Sequence, residues 1–119
     1  MGRIKGDLLP RVEDFADRVL DVAFALPESA ATHRVIDQLA GAGTAVGANV
    51  WESDDALSRA DFCKCLGIAL KELNETRYWL RLIARRDLLK PARLQGVLSD
   101  AEELRRVIGS MLARTRSGT

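Results

Sequence analysis

Apolar positions recur along this chain in alternating steps of three and four residues, and they fall into four blocks. The first block carries Val12, Phe15, Val19, Val22 and Leu26; the second carries Leu39, Gly43, Val46 and Val50. The third carries Phe62, Leu66, Ala69, Leu73, Thr76, Leu80 and Ile83, and the fourth Leu94, Val97, Ala101, Leu104, Ile108 and Met111. Such spacing puts each set on one side of a helix. Four amphipathic helices with short connections predict an all-α fold, an antiparallel up-and-down four-helix bundle. β-branched residues never cluster into alternating runs, so no sheet is expected.

Local signals set the boundaries. Residues 1–9 read as a flexible leader, and Pro10 suits the first turn of the first helix, where its missing N–H costs nothing. That helix runs to about Leu26 and Pro27 ends it. Thr32 is the expected N-cap of the second helix, which ends near Trp51. Ser58, with Asp61 three residues later, resembles a capping box that opens the third helix. The third helix runs to about Arg86, residues 87–90 form a break, and Pro91 is expected at the first position of the fourth helix. The bundle domain is thus expected over residues 10–115, with 116–119 as a disordered tail.

Composition adds bounds but no activity. At 119 residues, 47 % hydrophobic and 29 % charged, the chain has the balance of one globular domain with a real core. The formal net charge is only +1, weaker than the basic excess of a dedicated nucleic-acid binder. No stretch approaches the roughly 18 uninterrupted apolar residues of a membrane span, and the N-terminus lacks a signal-peptide core. Cys63 and Cys65 lie about 200° apart on a helix, so they cannot pair or grip one metal. Cys63 is expected at the edge of the core. Free thiols fit a cytoplasmic setting.

Candidate chemistry is sparse. Gly41, Gly43 and Gly47 share the second helix at a cost of roughly 1 kcal/mol each against alanine, so a close approach should compensate. That approach is either packing inside the bundle or a subunit contact. A phosphate loop is disfavoured, because no strand precedes the segment and no Gly-Lys-Ser/Thr follows. Asn49, Glu52 and Glu72 form a polar group expected to supply hydrogen bonds that fix helix register, with some members solvated. A di-metal site needs Glu-x-x-His pairs, and His33 is the lone histidine, expected at the surface; no metal or cofactor is implied. No nucleophile-and-base pair can be assembled, so an enzyme is not expected.

Arginine is the remaining signal. Arg77, Arg81 and Arg85 share one helical stripe, Arg86 and Arg93 follow, and guanidinium groups suit phosphate contacts. The competing reading is a solvated face neutralised by Asp14, Asp17, Asp21, Glu102 and Glu103. Tyr78, Trp79 and Trp51 flank the apolar stripes, as candidates either for a subunit interface or for the core.

The order Asp37-Gln38-Leu39, Ala48-Asn49-Val50-Trp51-Glu52, Asp61-Phe62 and Leu66-Gly67-Ile68-Ala69-Leu70-Lys71-Glu72-Leu73 resembles a known family. It is similar to the four-helix-bundle proteins encoded by intervening sequences in bacterial 23S rRNA genes. Ala25-Leu26-Pro27 and Ile108-Gly109-Ser110-Met111-Leu112 extend the resemblance over residues 12 to 115. The chain departs from the pattern at Gly41, Ala45 and Ser53, where the family usually has arginine, serine and glycine. The resemblance implies a homo-oligomer, expected to be a pentamer, without catalytic activity. A related branch, the accessory proteins of diversity-generating retroelements, pairs with a reverse transcriptase and binds nucleic acid.

The sequence thus leads to a non-enzymatic bundle that self-associates and contacts structured RNA or DNA through Arg77, Arg81, Arg85, Arg86 and Arg93. The alternative is a protein-interaction scaffold, or an accessory subunit of a reverse transcriptase.

Overall fold

The structure is a computed structural model that describes residues 2–118. It contains four α-helices: α1 (Leu8–Ala25), α2 (Ala30–Asp54), α3 (Arg59–Arg85) and α4 (Gln95–Ser117). No strand occurs among the described residues. Each helix packs on its sequence neighbours and α1 closes the ring against α4, giving an up-and-down bundle 46 Å along its longest axis. The α1–α4 seam is the thinnest. Ion pairs from Arg11 to Glu103 and from Arg18 to Asp100, both 2.5 Å, span it at the surface.

The core is built from the stripes. Val12, Phe15, Val19, Val22 and Leu26 of the first stripe are buried, as are Leu39, Val46 and Val50 of the second. The third stripe is buried from Phe62 to Ile83, including Thr76, whose hydroxyl donates to the Glu72 carbonyl at 2.8 Å. In the fourth stripe, Leu94 through Ile108 hold their places, but Leu112 takes the last core position and Met111 lies half-buried beside it. Cys65 is the more buried thiol and Cys63 only packs against the edge. Burial, then the charges of Asp61 and Glu52, push the Cys65 thiol above its ordinary range.

Gly43 and Gly47 serve the interior. A Cβ on Gly43 would stand 2.4 Å from Val19 Cγ1, and one on Gly47 would touch the Val12 carbonyl at 3.4 Å. Gly43 thus lets α2 approach α1 inside the bundle, whereas the contact at Gly47 is an ordinary one. The segment is continuous helix, so it forms no phosphate loop.

Several boundaries differ from expectation. The second helix is capped by Ser29, whose Oγ accepts the Thr32 N–H at 3.2 Å; Thr32 sits one turn inside and is buried. The Ser58 cap is as expected, with Oγ accepting the Asp61 N–H at 3.0 Å. Pro91 opens a three-residue 3-10 turn (Pro91–Arg93) ahead of α4 instead of starting it. The leader expected over residues 1–9 is structured in its described part. Leu8 and Leu9 are helical, the Arg3 N–H donates to the Asp54 carbonyl at 3.0 Å, and the Ile4 N–H donates to Asp54 Oδ1 at 2.7 Å. The Arg3 guanidinium adds a bond to the Ala56 carbonyl and lies over the Phe62 ring. Two backbone donors captured by one half-buried aspartate leave no signal in an apolar pattern. Of the expected tail, Arg116 and Ser117 continue α4 and Gly118 caps it at a φ of 79°; Met1 and Thr119 lie outside the described residues.

Candidate nucleic-acid interface

The outer face of α3 is organised by the same three-and-four spacing that builds its core. Asn74, Arg77, Tyr78, Arg81 and Arg85 line one shallow surface groove. Asn74 escaped the sequence reading, although it stands one turn before Arg77 and Tyr78 on the same face.

Arg77 is the anchor of this face. Its guanidinium donates to Glu102 of α4, with Nε 2.7 Å from Oε1, and to Asn74 Oδ1 at 3.0 Å. Arg105 reaches the other Glu102 oxygen at 3.2 Å. The hydrogen bond from Arg77, reinforced by the one from Arg105, holds the Glu102 carboxyl below its usual range. Arg81 and Arg85 are exposed and meet no carboxylate among the described residues. The neutralising reading therefore holds for Arg77 and fails for its two neighbours.

The other arginines stand apart from the groove. Arg86 is exposed at the C-terminal cap of α3. Arg93 lines a different and larger groove with Arg18, Asp21, Phe24 and Gly96 where α1 ends beside α4. The structure thus gathers Arg77, Arg81 and Arg85 and separates Arg93 from them.

The aromatic flank divides as well. Trp79 is half-buried against the core, and its indole N–H donates to Glu75 Oε2 at 3.1 Å. Tyr78 meets it edge-on, centroids 5.1 Å apart at 80°, and stays 56 % exposed. Trp51 is exposed over a third, mainly apolar groove between α1 and α2, lined by Val12, Ala16, Thr44, Gly47 and Ala48 with Glu13 at its edge.

The polar group has its own placement. The half-buried Asn49 donates to the Ala45 carbonyl of its own helix at 2.9 Å. Glu52 is exposed and Glu72 half-buried, and neither carboxylate takes a hydrogen bond or ion pair among the described residues. The buried polar side chains are instead Thr32, Ser53 and Thr76, each bonded to a nearby backbone carbonyl. Among the described residues no cluster of His, Cys, Asp and Glu could hold a metal ion, and no helix is long and apolar enough to cross a membrane.

Comparison with known proteins agrees with this architecture. None of the curated proteins matches the chain. Among solved structures, a protein of unknown function from Bacteroides thetaiotaomicron, assigned to the S23 ribosomal protein family, superposes with a TM-score of 0.80. It shares 32 % sequence identity, and the match covers 87 % of this chain and 96 % of that one. Neither that description nor the matching family model carries an enzymatic activity. The family model spans residues 7–110, all of α1 to α3 and most of α4, and the chain belongs to the 23S rRNA-intervening sequence protein family.

Proposed function

We propose that this protein is a non-catalytic bundle that assembles with copies of itself and holds nucleic acid on the outer face of α3. One observation carries the reading. Arg81 and Arg85, one turn apart, project beside Arg77 with no carboxylate to neutralise them. Guanidinium groups in that state are free to contact phosphate. A ring of subunits would multiply a stripe that one chain of net charge +1 presents only once. The fold relative's assignment to a ribosomal protein family favours RNA as the polymer.

A salt titration of binding to a labelled RNA tests this. Affinity should fall linearly on a log–log plot, by about 0.7 for each phosphate contacted on a single strand. Charge reversal at Arg81 and Arg85 should abolish it. No binding at low salt, or affinity indifferent to salt, removes the proposal.

A protein partner is the second reading, favoured by the open aromatic and aliphatic side chains Phe24, Trp51 and Leu57, which are 79 %, 47 % and 95 % exposed. A polypeptide that co-purifies after nuclease treatment and is lost from a Phe24→Ser or Trp51→Ser variant would establish it.

A further inference from the structure

We infer that the Tyr78 ring is a stacking platform for an unpaired base, so that the ligand class of the α3 face is single-stranded nucleic acid; this deepens the proposal above and rests on it. Tyr78 is an apolar surface in the middle of a charged stripe, with Arg77 before it and Arg81 and Arg85 one and two turns beyond. Its position is fixed from the side. Trp79 packs edge-on against it, and Trp79 is itself held by the core and by Glu75. The ring nevertheless stays more than half open. An ordered ring loses little freedom when a base stacks on it, which is the economy of aromatic platforms in single-strand grooves.

The charges fit the same ligand. Arg77 is committed to Glu102 and Asn74, so it stiffens the floor of the groove. Arg81 and Arg85 follow the ring at a spacing of about 6 Å along the helix axis. They can take consecutive backbone phosphates while a base lies on Tyr78. A duplex offers phosphates to the arginines but keeps its bases paired inside, leaving the tyrosine without a partner. Stacking on a ring and contact with phosphate do not involve the 2′-hydroxyl, so RNA and DNA single strands should be held alike.

Fluorescence anisotropy with three short labelled probes of one sequence tests the inference: single-stranded RNA, single-stranded DNA and the RNA duplex. The full-length protein should hold both single strands more tightly than the duplex. Tyr78→Ala should weaken single-strand binding about tenfold and leave duplex binding unchanged. Tyr78→Phe, which keeps the ring, should retain wild-type affinity. The inference is overturned if Tyr78→Ala binds single strands as the wild type does, if Tyr78→Phe loses binding, or if the duplex is preferred. A change in assembly mass with Tyr78→Ala would also overturn it, by making this face a subunit contact. Arg81→Ala separates the two levels: weakening of all three probes keeps the phosphate reading alive even where stacking fails. Tyr78 lies on the surface, and an unchanged helical circular dichroism spectrum verifies that each variant is folded.

Discussion

Gly43 of α2 and Val19 of α1 occupy one contact. A methyl group added at the glycine would lie 2.4 Å from Val19 Cγ1 and 2.9 Å from its Cβ, and Val19 is wholly buried. The valine is β-branched and fixed in rotamer, so it cannot swing aside without moving its helix. The glycine is what sets the distance between these two helices.

Gly43→Ala should therefore destabilise the protein. Overpacking in a closed core costs about 1–3 kcal/mol, which outweighs the gain of roughly 1 kcal/mol in helix propensity. Gly41, two residues away and about 200° around the helix on its exposed side, is the control: a Cβ there meets nothing within 4 Å. Gly41→Ala should stabilise by about 0.5–1 kcal/mol. Urea denaturation of the two variants checks the opposite signs, and equal effects would show that α1 and α2 are not in close contact.

The core was legible because it rests on period alone. Nearly every stripe residue from Val12 to Ile108 is buried where the three-and-four spacing puts it, since a helix has one solution for such a pattern. The glycines were legible only as a cost without a destination, because Val19 and Val12, their partners, are distant in sequence. Ser29 was missed as a cap in favour of Thr32, as both are hydroxyl residues near the same turn and only backbone dihedrals distinguish them. The arginine stripe could be read in outline, but which of its members is neutralised depends on Glu102, one helix away. Spacing along one helix says nothing about the charge on its neighbour.

The end of α3 carries an avoidable strain. Asp87 adopts a φ of 53°, and the flanking bonds, Leu88 N–H to the Ile83 carbonyl and Asp87 N–H to the Ala84 carbonyl, close the helix in a Schellman motif. That position favours glycine, which has no Cβ to crowd the backbone. Asp87→Gly should raise stability by about 0.5–1 kcal/mol, read as a higher thermal midpoint with unchanged helix content.

Glu102 gives the bundle an acid-sensitive link between α3 and α4. Protonating its carboxyl in the folded protein requires giving up the Arg77 bond, so the folded state holds that proton less tightly than the unfolded chain does. The contribution is complete at neutral pH and is lost as the pH falls below the ordinary glutamate range of about 4.3 and through the lowered folded value. The thermal midpoint of the wild type should therefore drop more steeply on acidification than that of Glu102→Gln. Both partners are partly exposed, so added salt should shrink the difference. Parallel curves for the two proteins would remove Glu102 from the acid response.

The proposed self-association has a testable locus in the groove under Trp51. Val12, Ala16, Gly47 and Ala48 floor it with small or apolar side chains, and the indole beside them is nearly half exposed. The groove is floored by residues of two packed helices, so it needs no further ordering to receive another apolar surface. Large aromatics in such a setting carry much of the energy of subunit contacts. Light scattering at micromolar concentration should give a whole multiple of the chain mass for the wild type and the single-chain mass for Trp51→Glu, because a buried carboxylate without a partner costs several kcal/mol. The variant should keep its helix content, since Trp51 lies outside the bundle core. A wild-type monomer would remove the assembly reading altogether, and an oligomer indifferent to Trp51→Glu would move the contact to another face, with the exposed Phe24 at the far end of α1 as the next position to change.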